Sequence, residues 1–335
     1  MKALVLYGPS DLRLEEIDDP LPPKNWIRLR VERVGICGTD KAFYKGSYKP
    51  LKIPIIPGHE ISGIVDKVGE GVSKDLIGKR VTTEINVYCG KCWYCKNDMP
   101  THCPYRSTIG ISIDGGMAEY VLTRSDLVHV VDDLSPLEAA FVEPLAAIVE
   151  MIEIHPIPEN ANANVAVIGI GTIGLLSLRL IKTFNPRLLV AVTHPDSPKI
   201  DYAKRSGADY VVSFNEALEI MRSETPEGIG FDYVVEATGS PKGIDLAVEL
   251  VRPRGVIAAK STHGAPVSFN YTMLVVKEAK IVGSRCGPFE KAIKLLRTKQ
   301  VKVSDLVTST YGLDEGVEAF IKSFDRKEVK VHITP

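Results

Sequence analysis

The clearest hydrophobic signal in the chain is the uninterrupted run Val165-Ala166-Val167-Ile168, which ends at Gly169. A short apolar run rich in β-branched residues and closed by glycine predicts a strand buried on both faces. The spacing then changes: Ile173, Leu176 and Leu180 recur at helical intervals, which predicts a helix running through 175–183. The turn between them reads Gly169-Ile170-Gly171-Thr172-Ile173-Gly174, a G-x-G-x-x-G. Gly169 permits the tight turn, Gly171 lets backbone approach a pyrophosphate, and Gly174 lets the helix pack close on its strand. The free N–H groups at the helix start face the phosphates. A glycine pattern alone is weak evidence. The full strand–turn–helix context makes Gly169, Gly171, Thr172, Ile173 and Gly174 a dinucleotide loop.

From Ala161 onward, strand and helix patterns alternate. Strands are expected at 165–168, 188–193, 210–212, 232–236, 255–259 and 280–283, with helices between them, including 198–206 and 243–251. Alternation at this spacing means βαβ units and a parallel sheet. The segments Ala237-Thr238-Gly239 and Lys260-Ser261-Thr262 then fall at strand ends, where dinucleotides bind, and their backbones are expected to border the cofactor. Arg285, after the last strand, is within reach of cofactor or substrate on the same reasoning. The first 150 residues read differently. Strands are expected at 2–7, 12–16, 26–34 and 81–86, with Pro20, Pro22 and Pro23 breaking the run. Ser135-Pro136-Leu137-Glu138 opens a helix, with Ser as cap, Pro in the first position and Glu in the first turn. A strand-like tail at 329–333 is expected to return to the first domain.

At 335 residues, two domains are the prior expectation. Apolar residues make up 44% and charged residues 25%, with a net charge of −1. This suits a soluble globular protein and gives no basic run to hold nucleic acid or an anionic membrane. The start of the chain meets Gly8-Pro9 too early for a signal peptide, and a cytoplasmic location is expected. Four of the six cysteines, Cys89, Cys92, Cys95 and Cys103, fall close together. That clustering suits a metal in a reducing compartment better than disulfides.

Two further motifs complete the pattern. Gly35-Ile36-Cys37-Gly38-Thr39-Asp40 is followed by Pro57-Gly58-His59-Glu60, and a thiolate with an imidazole makes a good zinc pair. With the cysteine cluster and the glycine loop, these resemble the zinc-dependent medium-chain dehydrogenase/reductase family over essentially the whole chain. The resemblance implies a GroES-like β-barrel catalytic domain (1–150) with a structural zinc lobe (89–103). It also implies a doubly wound, parallel-sheet nucleotide-binding domain (151–287), a return of 288–335 to the first domain, and an active site in the cleft. It implies two zinc ions per chain. One is held by Cys89, Cys92, Cys95 and Cys103. The other, acting as a Lewis acid on a substrate hydroxyl, is held by Cys37 and His59. The third ligand is Glu143 of Glu143-Pro144-Leu145, directly or through water, with Glu60 as the competing carboxylate. Asp40 would hold the other nitrogen of His59. Thr39 would take the substrate proton before hydride passes to the nicotinamide. Many relatives carry a histidine five residues after the cysteine to finish that relay, and here the residue is Ala42.

Cofactor choice is written after the second strand of the nucleotide domain. An acidic residue about twenty positions past the glycine loop grips the ribose of NAD. The position is His194 here, and His194, Ser197 and Lys199 can donate to a 2′-phosphate, which favours NADP over NAD. The Glu143 motif points to a polyol or sugar, as in aldose 1-dehydrogenases, and Asn86 is a possible partner for a sugar hydroxyl. L-threonine 3-dehydrogenase or a secondary-alcohol dehydrogenase is the alternative. A non-catalytic NADPH-binding sensor and a nucleic-acid-binding zinc ribbon belong to other classes. Partners are expected to be a small-molecule alcohol, polyol or sugar and further copies of the chain, as a homodimer or homotetramer.

Overall fold

The computed structural model describes residues 1–158 and 162–335, so Ala161 lies outside the described residues. The chain divides into two compact units. One is Met1–Glu143 with Phe289–Arg297 and Val303–Pro335. The other is Pro144–Pro288 with Thr298–Lys302. The division falls at Glu143/Pro144, inside the helix Val142–Ile154, a few residues before the expected change at 150. The reason is local. Lys260 donates its ammonium to the Ala147 carbonyl at 2.9 Å, and the Tyr233 hydroxyl donates to the Met151 carbonyl at 3.2 Å. Both contacts tie the later turns of this helix to the second unit.

The first unit is built on a mixed sheet whose strands run in the order Val307–Gly312, Lys330–Thr334, Trp26–Gly35, Glu60–Val68, Arg80–Thr83, Val128–Val130. Tyr120–Arg124 also pairs with Trp26–Gly35. The long strand Trp26–Gly35 is the centre because Ile27, Leu29, Val31 and Val34 are all buried. A register shift between Val31 and Arg33 carries the apolar pattern across the odd spacing from Val31 to Val34. The run expected at 81–86 is two strands, Arg80–Thr83 and Asn86–Val87, the second pairing with Ser107–Thr108. The tail strand Lys330–Thr334 pairs antiparallel with Trp26–Gly35.

The second unit is a six-stranded parallel sheet. Its order is Tyr210–Val212, Leu188–Val192, Asn164–Ile168, Phe231–Glu236, Val251–Ala259, Lys280–Gly283. Numbered within the unit this is 3-2-1-4-5-6, the doubly wound order that binds dinucleotides where the strand order reverses. Every residue of Asn164–Ile168 and Leu188–Val192 is buried, as a sheet covered on both faces requires. Each fully buried Val, Leu or Ile there contributes about 1.5–3 kcal/mol. The helix after the loop spans Thr172–Lys182. Among the described residues, no helix is long and apolar enough to cross a membrane.

Candidate active site

An antiparallel ladder builds the first constellation. Gly35 at the end of one strand sits directly opposite Glu60 at the start of the next. Cys37 follows the first strand and His59 precedes the second, so the register that pairs Gly35 with Glu60 brings the two ligand-type residues together. Cys37 is the cap residue of the short helix Gly38–Lys45, which ends on Gly46 with φ +74°. That helix carries Thr39 in its first turn. His59 is 4% exposed and takes Cys37 as a side-chain hydrogen-bond partner. Burial lowers the imidazole pKa, but the charges of Cys37, Asp40 and Glu143 outweigh it and hold the pKa well above its usual value. Thiol, imidazole and carboxylate therefore share one neighbourhood, with Glu143 buried at 8% exposure. The buried Nδ1 of His59 has no hydrogen-bond partner.

Asp40 differs from the expectation of a direct imidazole bond. Its Oδ1 lies 3.7 Å from His59 Nδ1, beyond hydrogen-bond range. Its oxygens instead accept the backbone N–H groups of Cys37 (2.8 Å) and Gly58 (3.3 Å). Asp40 is fully buried, and desolvation raises its pKa. It ties the cysteine loop to the histidine loop. Glu60, the competing carboxylate, is engaged by a cation. Lys330 donates to both of its oxygens, at 2.7 and 2.5 Å, and the pair is almost fully enclosed. Lys330 carries no sequence signal. It lies far from both motifs in the chain, in a tail that reads only as a strand.

Asn86 is 3% exposed, and its Oδ1 accepts from Thr108 Oγ1 at 3.5 Å. It is an interior position. The four cysteines form the tightest cluster: their sulfurs all lie within 4.8 Å of one another. Cys92 caps the helix Trp93–Lys96, and Cys103 follows the turn Pro100–His102. The backbone N–H groups of Lys91 and Cys92 pull the Cys89 thiol down to about 6, while desolvation and Cys92 push Cys95 up to about 12. Four thiols on two short turns, with N–H groups aimed at the sulfurs, fit one tetrahedral zinc with no open position. Among the described residues, no other set of three or more metal-ligating side chains meets the same distance limit.

In the second unit Gly169 has φ +93°, and a Cβ there would lie 2.5 Å from the Ala237 carbonyl. A Cβ on Gly174 would lie 1.9 Å from the Gly169 carbonyl, whereas one on Gly171 would meet nothing within 4 Å. The turn is closed on its inner side and open at Gly171, where a phosphate needs access. Thr172 and Ile173 form the first turn of the helix. Ala237 N donates to the Ile168 carbonyl, and Thr238 donates through N (2.8 Å) and Oγ1 (2.6 Å) to buried Glu236. The Gly239 N–H is held by Ser261 at 2.8 Å. Lys260 sits at the strand end, but its ammonium is held by Ala147 and Ser284. His194 is 87% exposed, with Nδ1 3.8 Å from Asp196. Ser197 Oγ accepts from the Lys199 N–H. Arg285 contacts the neighbouring Cys286 sulfur at 3.9 Å.

Comparison with known proteins agrees with this architecture. Residues 23–133 match the alcohol dehydrogenase GroES-like domain, and residues 172–298 match the zinc-binding dehydrogenase domain. A sorbitol dehydrogenase of Halalkalibacterium halodurans is 33% identical, covering 100% of this chain and 99% of its own. This chain belongs to the zinc-dependent medium-chain dehydrogenase/reductase family. A D-arabitol-phosphate dehydrogenase of Enterococcus avium, another member, is also 33% identical, over 99% of this chain and 97% of its own. A zinc-binding dehydrogenase of Sinorhizobium meliloti solved with NADP superposes with a TM-score of 0.89 at 27% identity, over 100% and 99% of the two chains. The expected fold class is thus observed, a GroES-like unit and a doubly wound one. As a family member the protein is an enzyme, an NAD(P)-dependent dehydrogenase of the alcohol, polyol and sugar type.

Proposed function

We propose that the enzyme oxidises a hydroxyl of a polyol or sugar, with Cys37, His59 and Glu143 holding a catalytic zinc. The observation that carries this reading is the shared neighbourhood of thiol, imidazole and carboxylate, in which buried His59 meets Cys37 through the ring nitrogen opposite Nδ1. Zinc bound there supplies Lewis acidity toward the substrate oxygen. Thr39, in the first turn after Cys37, accepts the hydroxyl proton at Oγ1. Ala42 offers no imidazole to pass it on, so the proton leaves Thr39 to water. The glycine turn orients the dinucleotide that takes the hydride. A second zinc on Cys89, Cys92, Cys95 and Cys103 supports structure.

The relatives named for sorbitol and arabitol phosphate, each 33% identical, support the polyol class. NADP is the favoured cofactor, because His194, Ser197 and Lys199 replace the acidic grip on a ribose hydroxyl. The competing reading is L-threonine 3-dehydrogenase, the name of a Pyrococcus abyssi relative 29% identical over 96% of this chain. Initial rates on aldoses, polyols, threonine and short alcohols, each with NAD and NADP, decide the matter. Turnover of sugars or polyols with NADP is expected. Turnover of threonine with NAD overturns both assignments. No turnover, with one zinc per chain, favours a non-catalytic NADPH-binding role.

A further inference from the structure

Among the described residues, seven buried side-chain nitrogen or oxygen atoms have no hydrogen-bond partner. Four of them belong to three residues of one sheet face: Arg33 Nε, Ser62 Oγ and both ring nitrogens of His332. Strand register brings them together. Arg33 is paired with Ser62 across one ladder, and His332 is paired with Gly35, two residues along from Arg33, across the other. Residues two apart on a strand share a face, so the three side chains rise from the same side of the sheet. Ser62 and His332 are fully enclosed. The Phe141 ring packs against the imidazole with centroids 5.4 Å apart.

Buried polar atoms without partners are costly, and the chemistry of these says what they would take. Arg33 Nε can only donate, the Ser62 hydroxyl can donate, and a neutral imidazole donates through one nitrogen. The charge is one-sided as well. Among the described residues no carboxylate lies within ion-pair reach of Arg33, whose guanidinium otherwise donates to the Thr310 hydroxyl at 3.3 Å. The charged groups felt at His332 are two cations, Lys330 and Arg33, and Lys330 is already engaged by Glu60. Water would meet the hydrogen bonds but leave the Arg33 charge uncompensated. Thr310 is exposed, so the guanidinium edge of the cluster opens to solvent.

We propose that Arg33, Ser62 and His332 form a binding site for a small monovalent anion, such as chloride. Arg33 Nε–H, the Ser62 hydroxyl and one His332 N–H donate to it, and a single negative charge matches the single unpaired guanidinium. The bound anion ties together Trp26–Gly35, Glu60–Val68 and Lys330–Thr334, the first two of which flank Cys37 and His59. Its occupancy therefore stabilises the first unit.

Bromide replacing isethionate at constant ionic strength should raise the melting temperature of the holoenzyme by about 2–4 °C. Crystals grown in bromide should show an anomalous peak beside Arg33 Nε. Arg33→Met alters a half-buried position and should fold, losing both the peak and the bromide-dependent rise. Ser62→Ala should weaken bromide at least about tenfold. Equal melting temperatures in the two salts, or only ordered water beside Arg33 in the bromide crystals, overturn the proposal. So does a bromide response in Arg33→Met equal to the parent's, which is what a halide held at the dinucleotide loop would give.

Discussion

At the scale of single residues, Asp40 joins two loops that the sequence separates. Replacing it with alanine strands the buried N–H of Gly58 and the partly buried N–H of Cys37, at about 1–3 kcal/mol for the buried one and less for the other. Asp40→Ala should therefore lower the melting temperature by several degrees and weaken zinc at Cys37 and His59 by about 10–100-fold. Asp40→Asn keeps one acceptor and should fall between the two. Calorimetry with a metal titration checks this, and an unchanged metal affinity would remove Asp40 from the site. His332 makes a different prediction. Burial, then Lys330 and Arg33, hold its pKa well below the usual value, and neither ring nitrogen has a partner. The unfolded imidazole takes up a proton near pH 6.5, while the folded one does so only at lower pH. Below about pH 6.5 the unfolded state binds more protons, so stability falls as pH drops. His332→Gln should flatten the decline in melting temperature between pH 7 and 5, and an unaltered slope would sink the assignment.

At the scale of elements, the glycine turn was legible because strand, turn and helix each left a different spacing. Its geometry also says which glycine matters for what. Gly169→Ala forces a side chain into φ +93° and against the Ala237 carbonyl, a strain of about 1–3 kcal/mol. Dinucleotide affinity should fall at least about tenfold by fluorescence titration. Gly171→Ala meets no protein atom and should leave the melting temperature unchanged while still crowding the pyrophosphate. Equal loss of stability in the two variants would contradict this division. Other elements left weaker traces. The helix Gly38–Lys45 left no helical spacing to read, since its eight residues hold only one buried apolar side chain, Phe43. The helix Phe214–Glu224 opens on a capping box, Ser213 with Glu216, whose hydrogen bonds the structure shows and which went unread in the sequence. Lys330 could not be read at all. A lysine in a strand-like tail is ordinarily solvated, and only the register Lys330–Thr334 against Trp26–Gly35 turns it inward beside Glu60.

At the scale of the whole molecule, the two proposed zinc sites do different work, although both lie in the first unit. The four-cysteine site is built on short turns, Trp93–Lys96 and Pro100–His102, with almost no core of their own. Trp93 and Tyr105 are exposed at 64% and 74%. Apolar burial cannot hold such a lobe, so metal binding supplies its folding free energy. The Cys37 site is the reverse case. The ladder Gly35↔Glu60, the Asp40 tie and the buried Lys330–Glu60 pair all form from protein groups alone. Cys92→Ser should therefore lose one zinc per chain, lower the melting temperature and expose the lobe to proteolysis, with the kcat of the surviving folded enzyme largely kept. Cys37→Ser should also lose one zinc, but with a melting temperature near the parent's and activity reduced at least about a hundredfold. Zinc content, calorimetry and kinetics on the two variants separate these outcomes. If both variants lose stability and activity together, the sites are coupled, and the lobe is part of the catalytic apparatus.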